Sequence, residues 1–238
     1  MYSKALNWLL DLLFPKTCLG CGQEEFYLCP DCLKKITINK DSLCFICGQR
    51  TLNNQTCPPC QKKTKLAGLL IASQWDNLLL RQMIYEYKYK FVKDLAQPLS
   101  QIIIQFLINN RPEFLQSKTS ELILTPVPLH PRRLVWRGYN QAEILAQEIG
   151  KYFNLPVIKL IERIRPTLPQ ANINNQKERQ KNIKMAFGLA AKNQIPMANK
   201  IIILIDDVCT TGATLEECAQ VLTPLKIKEI WGLVLARG

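Results

Sequence analysis

Four C-x-x-C pairs lie within residues 18–60 and account for eight of the ten cysteines. The pairs are Cys18/Cys21, Cys29/Cys32, Cys44/Cys47 and Cys57/Cys60. A C-x-x-C knuckle directs two thiolates toward one metal position, and two knuckles complete a closed tetrahedral zinc site. A segment this short buries too little apolar surface to fold without such a metal. The pattern therefore predicts two structural zinc ions, with glycines at the tight turns that follow two knuckles, Gly22 and Gly48.

Disulfides and redox sites are the two alternative uses of these cysteines. A reducing cytoplasm disfavours disulfides, and redox C-x-x-C motifs do not come four at a time outside a βαβ unit. The pairing of the knuckles stays open at this point. Sequential pairing places one zinc on the first two pairs and one on the last two, whereas interleaved pairing is the alternative. Because a closed site has no open coordination position, chemistry is expected elsewhere in the chain.

The composition indicates a globular protein with a basic surface. The chain has 238 residues, of which 47% are hydrophobic and 21% charged, and its formal charge is +12. This charge favours a nucleic acid, a phosphorylated ligand or another acidic partner without choosing among them. The single histidine, His130, excludes a metal centre built from several histidines.

The N-terminal residues predict a short docking helix rather than a signal peptide. Four leucines recur at helical spacing, whereas Asp11 interrupts the apolar run and no small-residue cleavage site follows. The leucines are Leu6, Leu9, Leu10 and Leu13. Other apolar runs, at 102–108 and 201–205, are too short for a membrane-spanning helix, which needs about 20 residues. We expect a cytoplasmic chain with no transmembrane segment.

From residue 67 onward, β and α patterns alternate, which is typical of an open, mainly parallel, doubly wound sheet. Strands are predicted at 67–73, 121–127, 157–164, 200–208 and 229–237, and helices at 78–87, 93–108, 140–153 and 214–225. We expect two domains: residues 1–64 with the N-terminal helix and the double zinc ribbon, and residues 65–238 with the α/β sheet. Neither a P-loop nor a G-x-G-x-x-G motif is present, which argues against a P-loop ATPase and a dinucleotide enzyme.

The most specific motif of this α/β part is IILIDDVCTTGAT at 202–214. A buried strand delivers Asp206 and Asp207 at its carboxyl end, where ligands of open α/β sheets bind. The Thr-Thr-Gly-x-Thr loop then opens a helix, and its N–H groups, hydroxyls and glycine suit a phosphate. The two acids suit sugar hydroxyls or Mg²⁺. A capped turn with solvated acids is the alternative interpretation.

This motif resembles the phosphoribosyl pyrophosphate signature of type I phosphoribosyltransferases. The resemblance implies that Asp206 and Asp207 hold the ribose 2- and 3-hydroxyls of phosphoribosyl pyrophosphate, bound with Mg²⁺. It also implies a loop that cradles the 5-phosphate, formed by Thr210, Thr211, Gly212, Ala213 and Thr214.

Two further blocks, at 125–150 and 163–187, resemble the P-V-P-L…R-G-[FY]-N-Q-[AS] and R-x-R-x-T-x-x-Q…R…N…F blocks of the ComF family. These are competence proteins with a phosphoribosyltransferase fold headed by a zinc ribbon. The resemblance implies that a pyrophosphate-receiving loop is formed by Val127, Pro128, Leu129 and His130. It also implies that the neighbouring surface is lined by Arg137, Gly138, Asn140 and Gln141.

Positive charge is concentrated near these blocks. Residues 130–185 carry eleven basic and four acidic side chains, and the stretch between Arg165 and Met185 has little apolar periodicity. A long loop of this kind closes over a ligand or binds one, although a solvated charge run is the alternative. The candidate nucleic-acid contacts are Arg132, Arg133, Arg165, Arg179 and Lys181.

The segment MIYEYKYKFVK, at 83–93, interleaves aromatic rings with lysines. Such a pattern suits a groove for single-stranded nucleic acid, in which rings stack on bases and lysines follow the backbone. Packing of the same rings inside the protein explains the pattern equally well. The sequence does not decide between them.

Three functions are compatible with these motifs. The ComF resemblance implies a factor for DNA uptake in natural transformation that binds phosphoribosyl pyrophosphate and single-stranded DNA. It would be recruited to the inner face of the uptake machinery, with competence helicase or recombination-mediator proteins as partners. The second function is catalysis of phosphoribosyl transfer to an unidentified acceptor. The third is a zinc-mediated docking scaffold with a vestigial nucleotide site.

Overall fold

The computed structural model describes residues 16–111, 121–167, 175–190 and 196–238, without the side chains of residues 176, 177, 179 and 180. The predicted N-terminal helix around Leu6 to Leu13 lies outside the described residues. Within these ranges, each helix is too short or too polar to cross a bilayer.

In these described ranges, six strands form two sheets. They are β1 (Gly68–Gln74), β2 (Leu122–Pro126), β3 (Ile161–Arg163), β4 (Phe187–Leu189), β5 (Ile201–Cys209) and β6 (Glu229–Arg237). The larger sheet has the order β1-β6-β5-β2, and each neighbouring pair is parallel. The smaller sheet is the antiparallel pair β3-β4.

Two short helices precede β1, and the other helices lie between strands in an α/β order. They are α1 (Pro30–Lys34), α2 (Pro58–Gln61), α3 (Leu78–Tyr89), α4 (Ala96–Asn110), α5 (Pro131–Arg137), α6 (Gln141–Phe153), α7 (Gln176–Ile183) and α8 (Ala213–Leu222). Short 3₁₀ turns stand at Leu52–Asn54, Lys93–Leu95 and Thr223–Leu225. Four of these helices, α3, α4, α6 and α8, lie where apolar periodicity predicted them.

Both faces of the parallel sheet are buried, because alternate β5 side chains enter two different cores. Ile203 and Ile205 pack in a core with residues of α3, α4 and α6. Ile202 and Leu204 pack in a second core with residues of α8. A strand covered on both faces reads as a continuous apolar run, as this one does. The expected α/β fold class, with a mainly parallel, doubly wound sheet preceded by a four-cysteine zinc ribbon, is confirmed.

The cysteine-rich segment packs along the edge of β1. Isolated antiparallel bridges join Ile38 to Ser73 and Gln55 to Gly68. The Ser73 hydroxyl donates to the Thr37 carbonyl at 2.7 Å. These bonds use backbone groups of an edge strand that would otherwise be open to pairing with another chain.

The strand predicted at 157–164 is largely wrong. Only Ile161–Arg163 forms a strand, and it pairs with β4 instead of joining the parallel sheet. Val157 contributes a single parallel bridge to Leu124. A strand buried on both faces needs apolar side chains on both, and this segment carries Lys159 and an exposed Glu162. Its polar alternation suits a small sheet with one exposed face.

Helices α5 and α7 were not predicted. Helix α5 is short and begins at a proline, which is favourable at a first helical position. Helix α7 lies in the stretch expected to be a loop. Its sequence, QKERQKNI, contains a single apolar residue, Ile183. A helix without an apolar stripe leaves no periodic signal in the sequence.

Candidate functional site

Two clusters of four cysteines lie in the N-terminal segment. One joins Cys18, Cys21, Cys29 and Cys32, and the other joins Cys44, Cys47, Cys57 and Cys60. Within each cluster the sulfur atoms lie within 4.8 Å of one another. The Sγ atoms of Cys21 and Cys29 are 3.7 Å apart. Zn–S bonds of about 2.3 Å in a tetrahedron require sulfur atoms about 3.8 Å apart, so the clusters fit zinc.

The clusters therefore pair sequentially, and interleaved pairing is excluded by their geometry. None of the ten cysteines, all of which lie among the described residues, forms a disulfide. The predicted knuckle turns are also observed, since Gly22 and Gly48 have φ values of +77° and +75°. Their N–H groups donate to the carbonyls of Cys18 and Cys44, each at 2.8 Å. Closed sites of four thiolates hold structural zinc and leave no position for a substrate.

A cavity of about 590 Å³ opens at the carboxyl ends of β2 and β5. Several predicted ligand-binding residues line it: Val127, Pro128, Leu129, Arg133, Arg137, Asp206, Asp207, Thr210, Thr211, Gly212, Ala213 and Thr214. Residues of α3 also line it, among them Arg81, Tyr85, Lys88 and Tyr89. The fold thus brings the Asp-Asp motif, the threonine loop and the PVPL loop to one place.

The threonine loop, residues 210–214, presents free backbone donors to this cavity. Among the described residues, the N–H groups of Thr210 and Thr211 have no protein acceptor, and that of Ala213 meets only the Thr211 hydroxyl at 3.4 Å. Gly212 has a φ of +82°, a left-handed conformation that favours glycine. Helix α8 begins directly after it. Free N–H groups at a helix N-terminus suit a phosphate group.

The two aspartates differ in their surroundings. Asp207 is buried, and its carboxylate accepts from Lys88 Nζ at 2.7 Å and from Gln141 Nε2 at 3.1 Å. Asp206 is half-buried and lies one residue earlier on the strand, so it faces the other side of the sheet. Burial and the charge of Asp207 raise the pKa of Asp206 to about 7. Asp206 is therefore the carboxylate that remains available to a ligand.

Besides Arg81 on α3, three lining arginines supply positive charge to the cavity: Arg133, Arg137 and Arg163. In the described part of the chain, none of them forms an ion pair with a carboxylate. Arg137 and Arg163 are 8% and 9% exposed, and their Nε atoms have no hydrogen-bond partner there. Burial lowers the pKa of Arg163 to about 10, which leaves it charged at neutral pH. Buried cations without carboxylates suit an anionic ligand.

Known proteins resemble this chain in both parts. Residues 9–61 match a family model described as a double zinc ribbon domain. Over 228 residues, the chain is 31% identical to Competence protein F of Haemophilus influenzae, across 88% of this chain and 97% of that protein. The chain belongs to the ComF family of competence proteins. The resemblance identified from the sequence motifs is thereby confirmed.

Sequence alignments with two further relatives also extend over most of this ComF chain. DNA utilization protein YhgH of Escherichia coli is 26% identical, over 82% of this chain and 90% of its own length. Competence protein ComFC of Bacillus subtilis is 27% identical, over 93% and 85%. A hypoxanthine phosphoribosyltransferase from Staphylococcus aureus aligns over 60% of this chain and 62% of its own, at 14% identity and a TM-score of 0.35. A similarity this weak carries no argument, so the fold assignment rests on strand order and helix placement.

The R-G-Y-N-Q block of this ComF protein holds the cavity together. Asn140 caps α6 and donates to the Val127 carbonyl at 3.0 Å, which fixes the PVPL loop. Gln141 holds the Asp207 carboxylate. Tyr139 is buried, its ring centroid is 5.4 Å from that of Tyr87, and its hydroxyl donates to the Tyr87 carbonyl. Tyr139, Asn140 and Gln141 therefore position the site, whereas Arg137 lines the cavity with a positive charge.

Several predicted contacts lie away from the cavity. His130 caps α5, where its Nδ1 accepts from the Arg132 N–H at 3.2 Å. Burial and the nearby Arg132 lower the pKa of His130, which keeps the imidazole neutral and able to accept. The exposed Arg165 donates to the carbonyls of Asn182 and Lys184.

The other predicted basic residues have no described contact with the cavity. The residues that line it do not include Arg132 or Lys181, and Lys181 is exposed on α7. The side chain of Arg179 lies outside the described residues. Of the predicted nucleic-acid contacts, Arg133 lines the cavity. Its positive charge in the sequence does not indicate this position, because side-chain direction depends on tertiary packing.

The second zinc ribbon touches the threonine loop, a contact that the sequence did not indicate. Phe45, between Cys44 and Cys47, is buried, and a Cβ at Gly212 would lie 3.4 Å from its ring. Glu216 on α8 accepts from the Lys65 N–H at 3.1 Å and from the Thr64 hydroxyl. The ribbon therefore supports the loop and the first turn of α8.

Proposed function

We propose that this ComF protein acts in DNA uptake and binds phosphoribosyl pyrophosphate with Mg²⁺ and single-stranded DNA. A role in competence is supported by its relatives, which are named competence protein F, ComFC and DNA utilization protein. The observation that carries the nucleotide part is the cavity, where free loop amides, an available carboxylate and arginines without a carboxylate partner among the described residues lie together.

Each part of phosphoribosyl pyrophosphate has a matching group in this cavity. The threonine loop suits the 5-phosphate, because its N–H groups and hydroxyls are donors. Asp206 suits the ribose hydroxyls as a hydrogen-bond acceptor. Arg137 and Arg163 suit the diphosphate, since guanidinium groups bind phosphate oxygens in a bidentate way. Lysine is not needed in such a cradle.

Mg²⁺ fits the chemistry of this donor set. It prefers oxygen ligands and commonly binds through one or two carboxylates together with substrate phosphates. Asp206 would supply the carboxylate oxygen, while Lys88 and Gln141 already occupy Asp207. When bound, the ion would neutralise charge on the diphosphate.

The binding test is calorimetric titration of the full chain with phosphoribosyl pyrophosphate and Mg²⁺ at pH 6 and pH 8. Because the pKa of Asp206 is raised to about 7, its carboxyl is mostly protonated at pH 6 and ionised at pH 8. A protonated acid accepts hydroxyls and Mg²⁺ poorly, so we expect affinity about tenfold weaker at pH 6.

Asp206→Asn is the matched control. It preserves shape and removes the titrating group, so the remaining pH dependence should be that of the ligand phosphates, which titrate near pH 6. Absence of binding at pH 8 would reject the nucleotide part of the proposal. Equal pH profiles in the wild type and Asp206→Asn would reject the role of this carboxylate.

Phosphoribosyl transfer is the second candidate function. The cavity extends past the threonine loop to the side chains of α3, which leaves room for an acceptor beside the donor. In the reaction, an acceptor nitrogen would bond to the anomeric carbon while the bond to pyrophosphate breaks, with the arginines stabilising the departing charge. We expect pyrophosphate release with a nucleobase or single-stranded DNA, and none in Asp206→Ala/Asp207→Ala. No release with either acceptor would leave binding as the function.

A further inference from the structure

Four exposed aromatic side chains form a continuous surface at the mouth of the cavity. They are Tyr85, Tyr89, Phe91 and Trp136, here called the aromatic strip, and they are 42–58% exposed. Tyr85 and Tyr89 also line the cavity. Monomeric proteins seldom expose aromatic side chains in a contiguous group, and such groups mark interaction sites.

The spacing of α3 separates the tyrosines of this segment into two groups. Tyr85 and Tyr89 are four residues apart, share one helix face and have ring centroids 5.2 Å apart. Tyr87 is fully buried on the opposite face, and its hydroxyl donates to the Gln141 carbonyl at 3.0 Å. The structure thus resolves the sequence pattern: one tyrosine packs inside, and two are presented outward.

Arg137 links the two halves of the aromatic strip. Its guanidinium carbon lies 5.7 Å from the Tyr89 ring centroid and 5.9 Å from that of Trp136. Trp136 in turn meets Phe91 edge to face, with centroids 5.0 Å apart. The strip is therefore a row of ring faces and edges with a cation at its centre, continuous with the cavity.

The rings and arginines of the aromatic strip indicate which class of ligand can bind there. A row of rings offers stacking platforms for planar groups, and arginine adds a cation–π contribution and a phosphate contact. Arg133 and Arg137 both lie here without a carboxylate partner among the described residues. A purely apolar partner would leave these charges desolvated and unpaired. A chain of planar bases on an anionic backbone satisfies both the rings and the arginines.

We infer that the aromatic strip is the base-stacking site for the unpaired nucleobases of a single strand. The inference rests on the proposed function, since it assigns a surface to the nucleic acid named there. It places the strand along α3 and α5, with a base at the edge of the cavity. The predicted contacts Arg165 and Lys181 lie outside this path.

The test compares binding of a fluorescein-labelled oligothymidylate to the full chain and to Tyr85→Ala/Tyr89→Ala/Trp136→Ala by anisotropy at fixed salt. Because stacking on one aromatic side chain changes affinity about 5- to 150-fold, we expect the triple variant to bind at least about a hundredfold more weakly. An abasic strand with the same number of phosphates should bind the wild type as weakly as oligothymidylate binds the variant.

Tyr152→Ala is the matched control. Tyr152 is 59% exposed on α6, about 16 Å along the helix axis from Gln141 at the cavity. We expect Tyr152→Ala to bind oligothymidylate with the affinity of the wild type. Since the strip is exposed, the triple variant should keep the thermal unfolding midpoint of the wild type. The variant Tyr85→Phe/Tyr89→Phe keeps both rings, so it should retain stacking and the wild-type affinity for the strand.

The outcomes separate this inference from the proposed function. If the wild type binds no single strand, the nucleic-acid part of the proposed function fails, and this inference fails with it. If the wild type binds and the folded triple variant binds equally well, the strip assignment alone is overturned. The assignment would also be overturned if the wild type bound the abasic strand as tightly as oligothymidylate. A membrane would be the occupant instead if the triple variant kept its affinity for oligothymidylate but lost binding to phosphatidylglycerol vesicles, and this result too would overturn the assignment.

Discussion

Cys44→Ser is expected to lower the bound zinc from two ions to one per chain and to unfold the second ribbon. Cys44 is completely buried and belongs to the cluster with Cys47, Cys57 and Cys60. Apparent binding free energies of structural zinc are about 10–16 kcal/mol, and in a small segment this energy is folding energy. Metal content by inductively coupled plasma mass spectrometry and thermal unfolding measure both effects.

Cys218→Ala is the control for this prediction. Cys218 is equally buried but lies on α8, far along the sequence from the knuckles. It should retain two zinc ions and lose only a small amount of packing. Two ions per chain in Cys44→Ser would contradict the ligand assignment.

The effect should reach the threonine loop as well. Phe45 lies against Gly212, and the segment after the ribbon holds Glu216 on α8. Unfolding of the second ribbon therefore removes the support of the threonine loop.

Asp207→Ala is expected to lower the free energy of unfolding by about 3–5 kcal/mol, because it leaves the half-buried Lys88 without its counter-charge. The Lys88 side chain is 19% exposed and that of Asp207 is 4% exposed. Gln141 also loses its acceptor. Urea unfolding followed by circular dichroism measures the change.

A double-mutant cycle isolates the ion pair in this prediction. Lys88→Met keeps the length of the side chain and removes its charge, so Asp207→Ala should cost much less in that background. Equal costs in both backgrounds would show that Lys88 and Asp207 are not coupled. Asp206→Ala is the neighbouring comparison, and it should be far less destabilising, because the raised pKa of Asp206 shows that the fold disfavours its charge.

Short-range patterns were readable from the sequence because their chemistry is local. A C-x-x-C knuckle closes its own turn, as the Gly22 and Gly48 bonds show. A continuous apolar run that ends in two acids and a threonine loop defines a buried strand, a strand end and a helix start within fourteen residues, 201–214. The parallel sheet follows from the alternation of such units.

Errors arose where neighbours in space, rather than in sequence, determine the outcome. The segment at 157–164 was predicted to join the parallel sheet, but its strand pairs with β4 instead. Helix α7 forms although its sequence has no apolar stripe. The sequence likewise does not indicate that Arg133 lines the cavity, whereas Arg165 donates to the carbonyls of Asn182 and Lys184. Charge and propensity are properties of single residues, whereas side-chain direction depends on the packing around them.

The amino-acid order by itself thus determined two zinc ribbons, a parallel α/β sheet and a threonine-rich loop between β5 and α8, because each is specified by residues close together in the chain. Tertiary structure alone decided that Lys88 and Gln141 occupy Asp207, that Phe45 supports Gly212, and that Tyr85 and Tyr89 face outward beside Arg137. These pairs are distant in sequence, and only the packing of separate elements brings them within contact distance.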